Sequence, residues 1–164
     1  MKRMIMLIAG FLVIDFMTKR LMDADLQLHE RNEIVEGYLS WQLYYNPGAT
    51  LGLLEGYTEL LIGLQILIVL LLSYGYWQAN PKTLLVKTGF ALIISGGLSN
   101  LIDRIQYGYV IDFISIKGSP GIFNVADMEI RFGFIMIVAL YLMRRFTIPF
   151  LDKLENPIQK SERS

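Results

Sequence analysis

Four long apolar stretches separated by more polar segments set the frame of this chain. They run from about Met4 to Met22, Leu60 to Trp77, Leu84 to Ile102 and Ile130 to Phe146, each close to the roughly 20 residues a helix needs to cross a bilayer. Only the second is free of charged side chains. The first follows Lys2 and Arg3 as a secretory leader would, but it ends in Asp15-Phe16-Met17-Thr18-Lys19 with no small-residue cleavage site, so it reads as a membrane helix. Between the helical stretches the period changes. Leu39, Trp41, Leu43 and Tyr45 alternate with Tyr38, Ser40, Gln42 and Tyr44, the pattern of a half-buried strand. A second strand-like run, Tyr109 to Ile116, is followed by the turn-forming Lys117-Gly118-Ser119-Pro120-Gly121 and a short return through Ile122 and Phe123. The expected fold class is a membrane protein, mainly α, with four transmembrane helices and a small extracytoplasmic antiparallel β-sheet. It forms one domain over residues 1–164, with a polar tail from about residue 150 that frays from Asn156.

Composition agrees with a membrane chain: 54% of the residues are apolar and the mean hydropathy is +0.44, too high for an ordinary soluble domain of this size. No cysteine is present, which excludes disulfides, thiolate metal sites and a cysteine nucleophile. A formal net charge of zero, with no run of basic residues, gives no reason to expect a nucleic-acid partner. The distribution of charge says more. With both termini in the cytoplasm, the inner segments hold nine basic residues against three acidic ones, and the outer segments six basic against twelve acidic. Basic residues flanking membrane spans favour the cytoplasmic side, so both ends are placed inside and the sheet outside.

Ionisable groups in or beside membrane spans are costly and mark sites worth weighing. Asp15 and Lys19 stand four apart with the acid first, the better order for a helical ion pair; they could anchor the first helix or serve a site. Gly96, Asn100 and Arg104 recur every four residues along one face of the third helix, with Asp103 adjacent, as either helix-packing contacts or part of a site. Asp112 shares a strand face with Val110, Ile114 and Ile116, where it is either a charge that keeps the strand edge from aggregating or a functional carboxyl with a raised pKa. In Phe123-Asn124-Val125-Ala126-Asp127, Asn124 can cap the fourth helix and Asp127 suits its first turn. The hairpin between Asp112 and Asp127 nevertheless folds the chain back, so the two carboxyls can meet.

Paired carboxyls resist simultaneous ionisation and share a proton. One can then activate water while the other hydrogen-bonds a scissile carbonyl, which is peptide hydrolysis without a covalent intermediate. The helix dipole favours a charged Asp127 and a protonated Asp112. The single histidine, His29, sits in a polar loop beside Glu30 and Arg31; there is no serine elbow, no phosphate loop and no zinc-ligand spacing. No cofactor or metal is expected. A small proton-coupled transporter is the competing class, but its key acid would lie near mid-bilayer, whereas these acids cluster at one interface.

Five segments together resemble the lipoprotein signal peptidases. Asp15-Phe-Met-Thr-Lys19 resembles the first-helix motif of that family, and Asn46-Pro-Gly48-Ala49 its asparagine-glycine-alanine motif. Gly96-Gly-Leu-Ser-Asn100-Leu-Ile-Asp103-Arg104 and Gly108-Tyr-Val-Ile-Asp112-Phe113 resemble the third-helix and first-aspartate block, and Phe123-Asn124-Val125-Ala126-Asp127 the second-aspartate block. The resemblance implies catalytic Asp112 and Asp127, with Asp15, Lys19, Asn46, Gly48, Ala49, Asn100, Asp103, Arg104, Asn124 and Ala126 supporting the site or holding substrate. It further implies an aspartic endopeptidase of the bacterial cytoplasmic membrane acting at the extracytoplasmic interface; a monomer is the expected state. The enzyme would cut prolipoproteins before a diacylglyceryl-modified cysteine and be blocked by globomycin; its partners would be that substrate and membrane lipid. Thr50, Leu51, Ser99, Pro47, Glu129 and Arg131 depart from the family pattern. These departures bear on specificity, and they leave room for a catalytically silent relative that only binds lipoproteins.

Overall fold

The apolar stretches form helices that run past the predicted span limits. The computed structural model describes residues 2–49 and 53–155, with side chains to residue 146. Helix α1 is Lys2–Asp25, α2 Thr58–Ala79, α3 Leu84–Tyr107 and α4 Val125–Glu155, while strands β1 Arg31–Val35, β2 Leu39–Asn46, β3 Val110–Ile116 and β4 Ile122–Phe123 form one antiparallel sheet in the order β1-β2-β3-β4. The backbone of α4 continues into the expected polar tail as far as Glu155; residues 156–164, Thr50 and Leu51 lie outside the described residues. Two helices, α2 and α3, are both long and apolar enough to cross a membrane. The other two reach the length, at about 36 Å for α1 and 46 Å for α4, but carry more charge.

Helix α3 is the hub, packing against α1, α2 and α4, with its tightest partner α4. The approach is close because glycines face each other: a Cβ on Gly133 would stand 2.6 Å from the carbonyl oxygen of Gly89. Such contacts let helices associate through dispersion and backbone proximity where no hydrophobic driving force exists. The outward surfaces remain apolar, with Val13, Phe16 and Met17 of α1, Leu67 and Leu71 of α2, and Phe132, Phe134 and Ile135 of α4 all exposed. Continuous exposed apolar surface of this kind belongs in lipid.

Three strands lie where alternation and turn chemistry put them. Strand β1 was missed because Arg31-Asn-Glu-Ile-Val35 is exposed along its whole length and offers no buried phase to detect. The strict alternation predicted for Tyr38–Tyr45 is also corrected. A bulge between Trp41 and Tyr44 inserts one extra residue against β3, so Tyr44 rather than Leu43 pairs with Asp112 and Asn46 pairs with Val110. Without that bulge Asn46 would point to the opposite face. Strand β3 is buried from Val110 through Ile114, so both of its faces are covered and Asp112 is not an exposed edge charge.

Candidate active site

The site lies where the outer end of α3, the bulged end of β2, strand β3 and the first turn of α4 converge. Gly96 permits this convergence: a Cβ there would meet the carbonyl oxygen of Ala126 at 2.4 Å and Ile130 Cγ1 at 2.8 Å. With hydrogen alone at that position, Asn100, one turn further along α3, comes within reach of Asp127.

Two asparagines tie the carboxylates together. Asn124 Nδ2 donates to Asp112 Oδ1 at 2.7 Å and to Asn100 Oδ1 at 3.1 Å. Asn100 Nδ2 donates to Asp127 Oδ1 at 2.9 Å. The second oxygen of Asp112 accepts from Asn46 Nδ2 at 2.8 Å, and Asn46 Oδ1 in turn accepts from the Gly48 N–H at 3.0 Å, fixing the loop after β2. The amide orientations follow from their partners. Lys19 Nζ, which can only donate, reaches Asn100 Oδ1 at 2.9 Å, so the NH2 group of Asn100 must face Asp127.

The capping prediction for Asn124 and Asp127 also holds. The Asp127 N–H donates to Asn124 Oδ1 at 2.9 Å, and the Asn124 N–H donates to Asp127 Oδ2 at 3.3 Å, a reciprocal capping box at the start of α4. Asp127 therefore caps a helix and points a carboxylate oxygen at Asn100 at the same time; the two readings were never exclusive.

Beneath this layer lies a buried ion cluster. The Lys19 ammonium is 2.8 Å from Asp15 and 2.7 Å from Asp103; with Asn100 these use all three of its N–H bonds. Asp15 is fully buried. Its Oδ1 accepts from the Ala126 N–H at 2.7 Å, satisfying a free amide in the first turn of α4 from a different helix, and its Oδ2 also accepts from Ser99 Oγ. The Ser99 departure thus adds a donor to this cluster. Asp103 Oδ2 accepts from the Ile111 N–H at 3.4 Å, locking α3 to β3 beside Asp112. Arg104 donates to the Gly48 carbonyl at 2.7 Å and to Gln65 Oε1 at 3.2 Å, holding the Asn46–Ala49 loop against α2 and α3. Ala126 contributes its backbone N–H, and Ala49 closes its loop by donating to the Leu53 carbonyl at 2.8 Å. The twelve residues that the resemblance marked as catalytic or supporting thus belong to one network or line its cleft.

Sequence reasoning did not single out Gln65, which lies in the charge-free second stretch and is the polar group of α2 that meets Arg104 and, through Nε2, the Gly97 carbonyl at 3.0 Å. A lone glutamine in an otherwise uncharged span was the available signal. The role of Ser95 was missed too; its hydroxyl donates to the buried Glu129 at 2.9 Å.

Both carboxylates line one cleft of about 700 Å³. Its polar floor carries Asp112, Asp127, Asn100 and Arg104, while Leu61 and Leu64 of α2 form an apolar wall and the β3–β4 turn forms a rim. Asp112, on the strand and only 1% exposed, has its pKa pushed up to about 7, first by burial and then by the neighbouring negative charge of Asp127, against the lowering effect of the Asn46 and Asn124 donors.

A buried and a half-buried carboxyl in one cleft, with the strand acid poised to hold a proton near neutrality, define the class of acid–base hydrolase sites that work through paired carboxyls. The comparisons narrow that class. Residues 7–143 match the family model described as signal peptidase II, and the chain belongs to that family of aspartic peptidases. It is 34% identical to a lipoprotein signal peptidase of Moorella thermoacetica over 77% of this chain and 83% of that one. It is 33% identical to the lipoprotein signal peptidase of Clostridium novyi over 85% of this chain and 97% of that one. A solved bacterial membrane enzyme, determined by the in meso method at 2.3 Å resolution, superposes with a TM-score of 0.83 at 25% identity, covering 90% of this chain and 92% of that one.

Proposed function

We propose that Asp112 and Asp127 are the catalytic pair of this enzyme and that its substrate is cut immediately before a diacylglyceryl-modified cysteine. Removal of signal peptides from prolipoproteins is the activity of the family to which the chain belongs. The observation that carries the residue assignment is the shared asparagine bridge, in which Asn124 bonds both carboxyl groups within one cleft.

In the proposed reaction, Asp127 is the charged partner: burial raises its pKa, but the Asn124 N–H, the Asn100 donor and the N-terminus of α4 all favour its charged form, and it is less buried than Asp112. It takes a proton from a water molecule, whose oxygen attacks the scissile carbonyl carbon. Protonated Asp112 hydrogen-bonds the carbonyl oxygen and stabilises the negative charge that develops there. Collapse of the tetrahedral intermediate breaks the C–N bond, and the leaving amine takes its proton from the carboxyl pair. The Asn46, Asn100 and Asn124 amides aim the two carboxyls, and the Lys19 cluster fixes the amides.

All four helices cross the membrane in this reading, in a single domain with both termini in the cytoplasm and the cleft at the outer interface. The supports are the helix lengths, the exposed apolar side chains of α1 and α4 and the charge asymmetry of the segments. The chain acts as a monomer, with lipid and the lipidated precursor as its partners. Asp112→Asn and Asp127→Asn are each expected to give folded protein that leaves a lipidated precursor uncut in a reconstituted assay. Cleavage at the unsubstituted rate by either variant overturns the assignment, and tight precursor binding without turnover by the unsubstituted protein would favour a silent relative instead.

A further inference from the structure

Arg131 lines the cleft one helical turn beyond Asp127, on the same side of α4. Its guanidinium lies over the ring of Phe123 at 4.9 Å, which holds it at the rim formed by β4. Among the described residues it has no hydrogen bond or ion pair, although Asp127 stands four residues earlier, in the order that favours a helical pair. Arg104, by contrast, is spent on the Gly48 carbonyl and Gln65. The cleft therefore offers one exposed cation with free donors beside its two acids.

The position of that cation relative to lipid is set by packing. Helix α2 packs on α3, and no extended packing joins it to α4, so the cleft is flanked by Leu64 and Ile68 on one side and by Ile130 and Arg131 on the other. The apolar side chains of Leu64, Ile68 and Ile130 make this gap the path by which acyl chains can lie beside the scissile bond. Although the Arg131 backbone is one turn into α4, the Phe123 contact keeps its guanidinium at the rim where the sheet meets the apolar layer, the level of whatever joins those chains to the peptide. On the proposed function, that group is a glyceryl diester, whose carbonyl oxygens are acceptors without charge. Guanidinium is weakly hydrated and presents planar paired donors suited to such oxygens.

We infer that Arg131 is a specificity-determining residue that hydrogen-bonds the ester carbonyls of the lipid carried by the substrate cysteine. This inference rests on the proposed substrate. Its test compares two synthetic precursor peptides in neutral phosphatidylcholine vesicles, one with a diacylglyceryl (diester) cysteine and the other with the matching dialkylglyceryl (diether) cysteine, which lacks the carbonyls. The unsubstituted enzyme is expected to show a KM about 10-fold to 100-fold lower for the diester, the range for hydrogen bonds to a charged group. Arg131→Leu is expected to bring the diester-to-diether KM ratio close to one, and Arg131→Lys to restore part of it. Thermal unfolding of each variant at the unsubstituted temperature shows that the effect is local.

The inference is overturned where the unsubstituted enzyme treats both peptides alike, or where the preference survives in Arg131→Leu. It is also overturned where Arg131→Leu raises KM equally for both peptides and only with anionic lipid present, because that marks a phospholipid phosphate as the partner. Cleavage of neither lipidated peptide by the unsubstituted enzyme refutes the underlying substrate reading, and this inference with it.

Discussion

Gly96→Ala should disable the site while leaving the fold largely in place. The added methyl would stand 2.4 Å from the Ala126 carbonyl oxygen, 2.8 Å from Ile130 Cγ1 and 3.2 Å from the Ala126 carbonyl carbon. The two closest carbonyl atoms are backbone, so no rotamer relieves the clash. The first turn of α4 must retreat from α3 by about 1 Å to reach an ordinary 3.4 Å contact. A shift of that size stretches the Asn100–Asp127 bond from 2.9 Å and the Ala126–Asp15 bond from 2.7 Å beyond useful hydrogen-bonding distance. Overpacking costs about 1–3 kcal/mol, and each buried bond that breaks costs about 1–3 kcal/mol more. Misplacing one carboxyl of a pair by about 1 Å lowers turnover on the order of 100-fold. The assay is cleavage of a lipidated precursor in detergent or vesicles, run beside thermal unfolding. Gly97→Ala on the adjacent face is the comparison: its Cβ meets only Val69 Cγ2, at 3.1 Å, a side chain able to give way. Unsubstituted turnover and melting in Gly96→Ala would refute the claim that close backbone approach sets the carboxyl geometry.

Four further outcomes follow from the same network. Because the Asp112 pKa is raised from 3.8 to about 7, its ionisation opposes folding: stability declines as pH climbs from about 4 to about 7 and levels off above, and turnover falls on the alkaline side with a midpoint near 7. Asn46→Ala removes a donor that favours the charged form, so this alkaline limb should move to higher pH; a move to lower pH in the pH–rate profile contradicts the assignment. Lys19→Met leaves Asp15 and Asp103 buried without their cation and should destabilise the protein by about 3–5 kcal/mol, read by denaturant or thermal unfolding. Ser99→Gly deletes one donor to Asp15 and restores the residue usual in the family, so it should lower stability by about 1.5–3 kcal/mol while precursor cleavage persists.

The sequence alone carried the long apolar helices, the hairpin and the two acids that the fold brings to one cleft. Long apolar runs bury a surface whatever their neighbours, and Lys117-Gly118-Ser119-Pro120-Gly121 turns for local reasons. The spacing of Asn124 and Asp127 announced a helix start because a capping box closes within four residues. The motif order around Asp112 and Asp127 was specific enough to point to a peptidase family. What remained hidden depends on residues far apart in the chain. Asp15 caps a helix that begins 110 residues later at Val125, and no local pattern records that contact. The bulge between Trp41 and Tyr44 puts Asn46 in phase with Asp112, although the residues of β2 read as uninterrupted alternation. Strand β1 has no buried face to betray it. Periodicity reports which side of an element is buried, not which group it meets. The union of two carboxyls through Asn124 and Asn100 therefore had to come from the tertiary packing of α3 against α4 across Gly96.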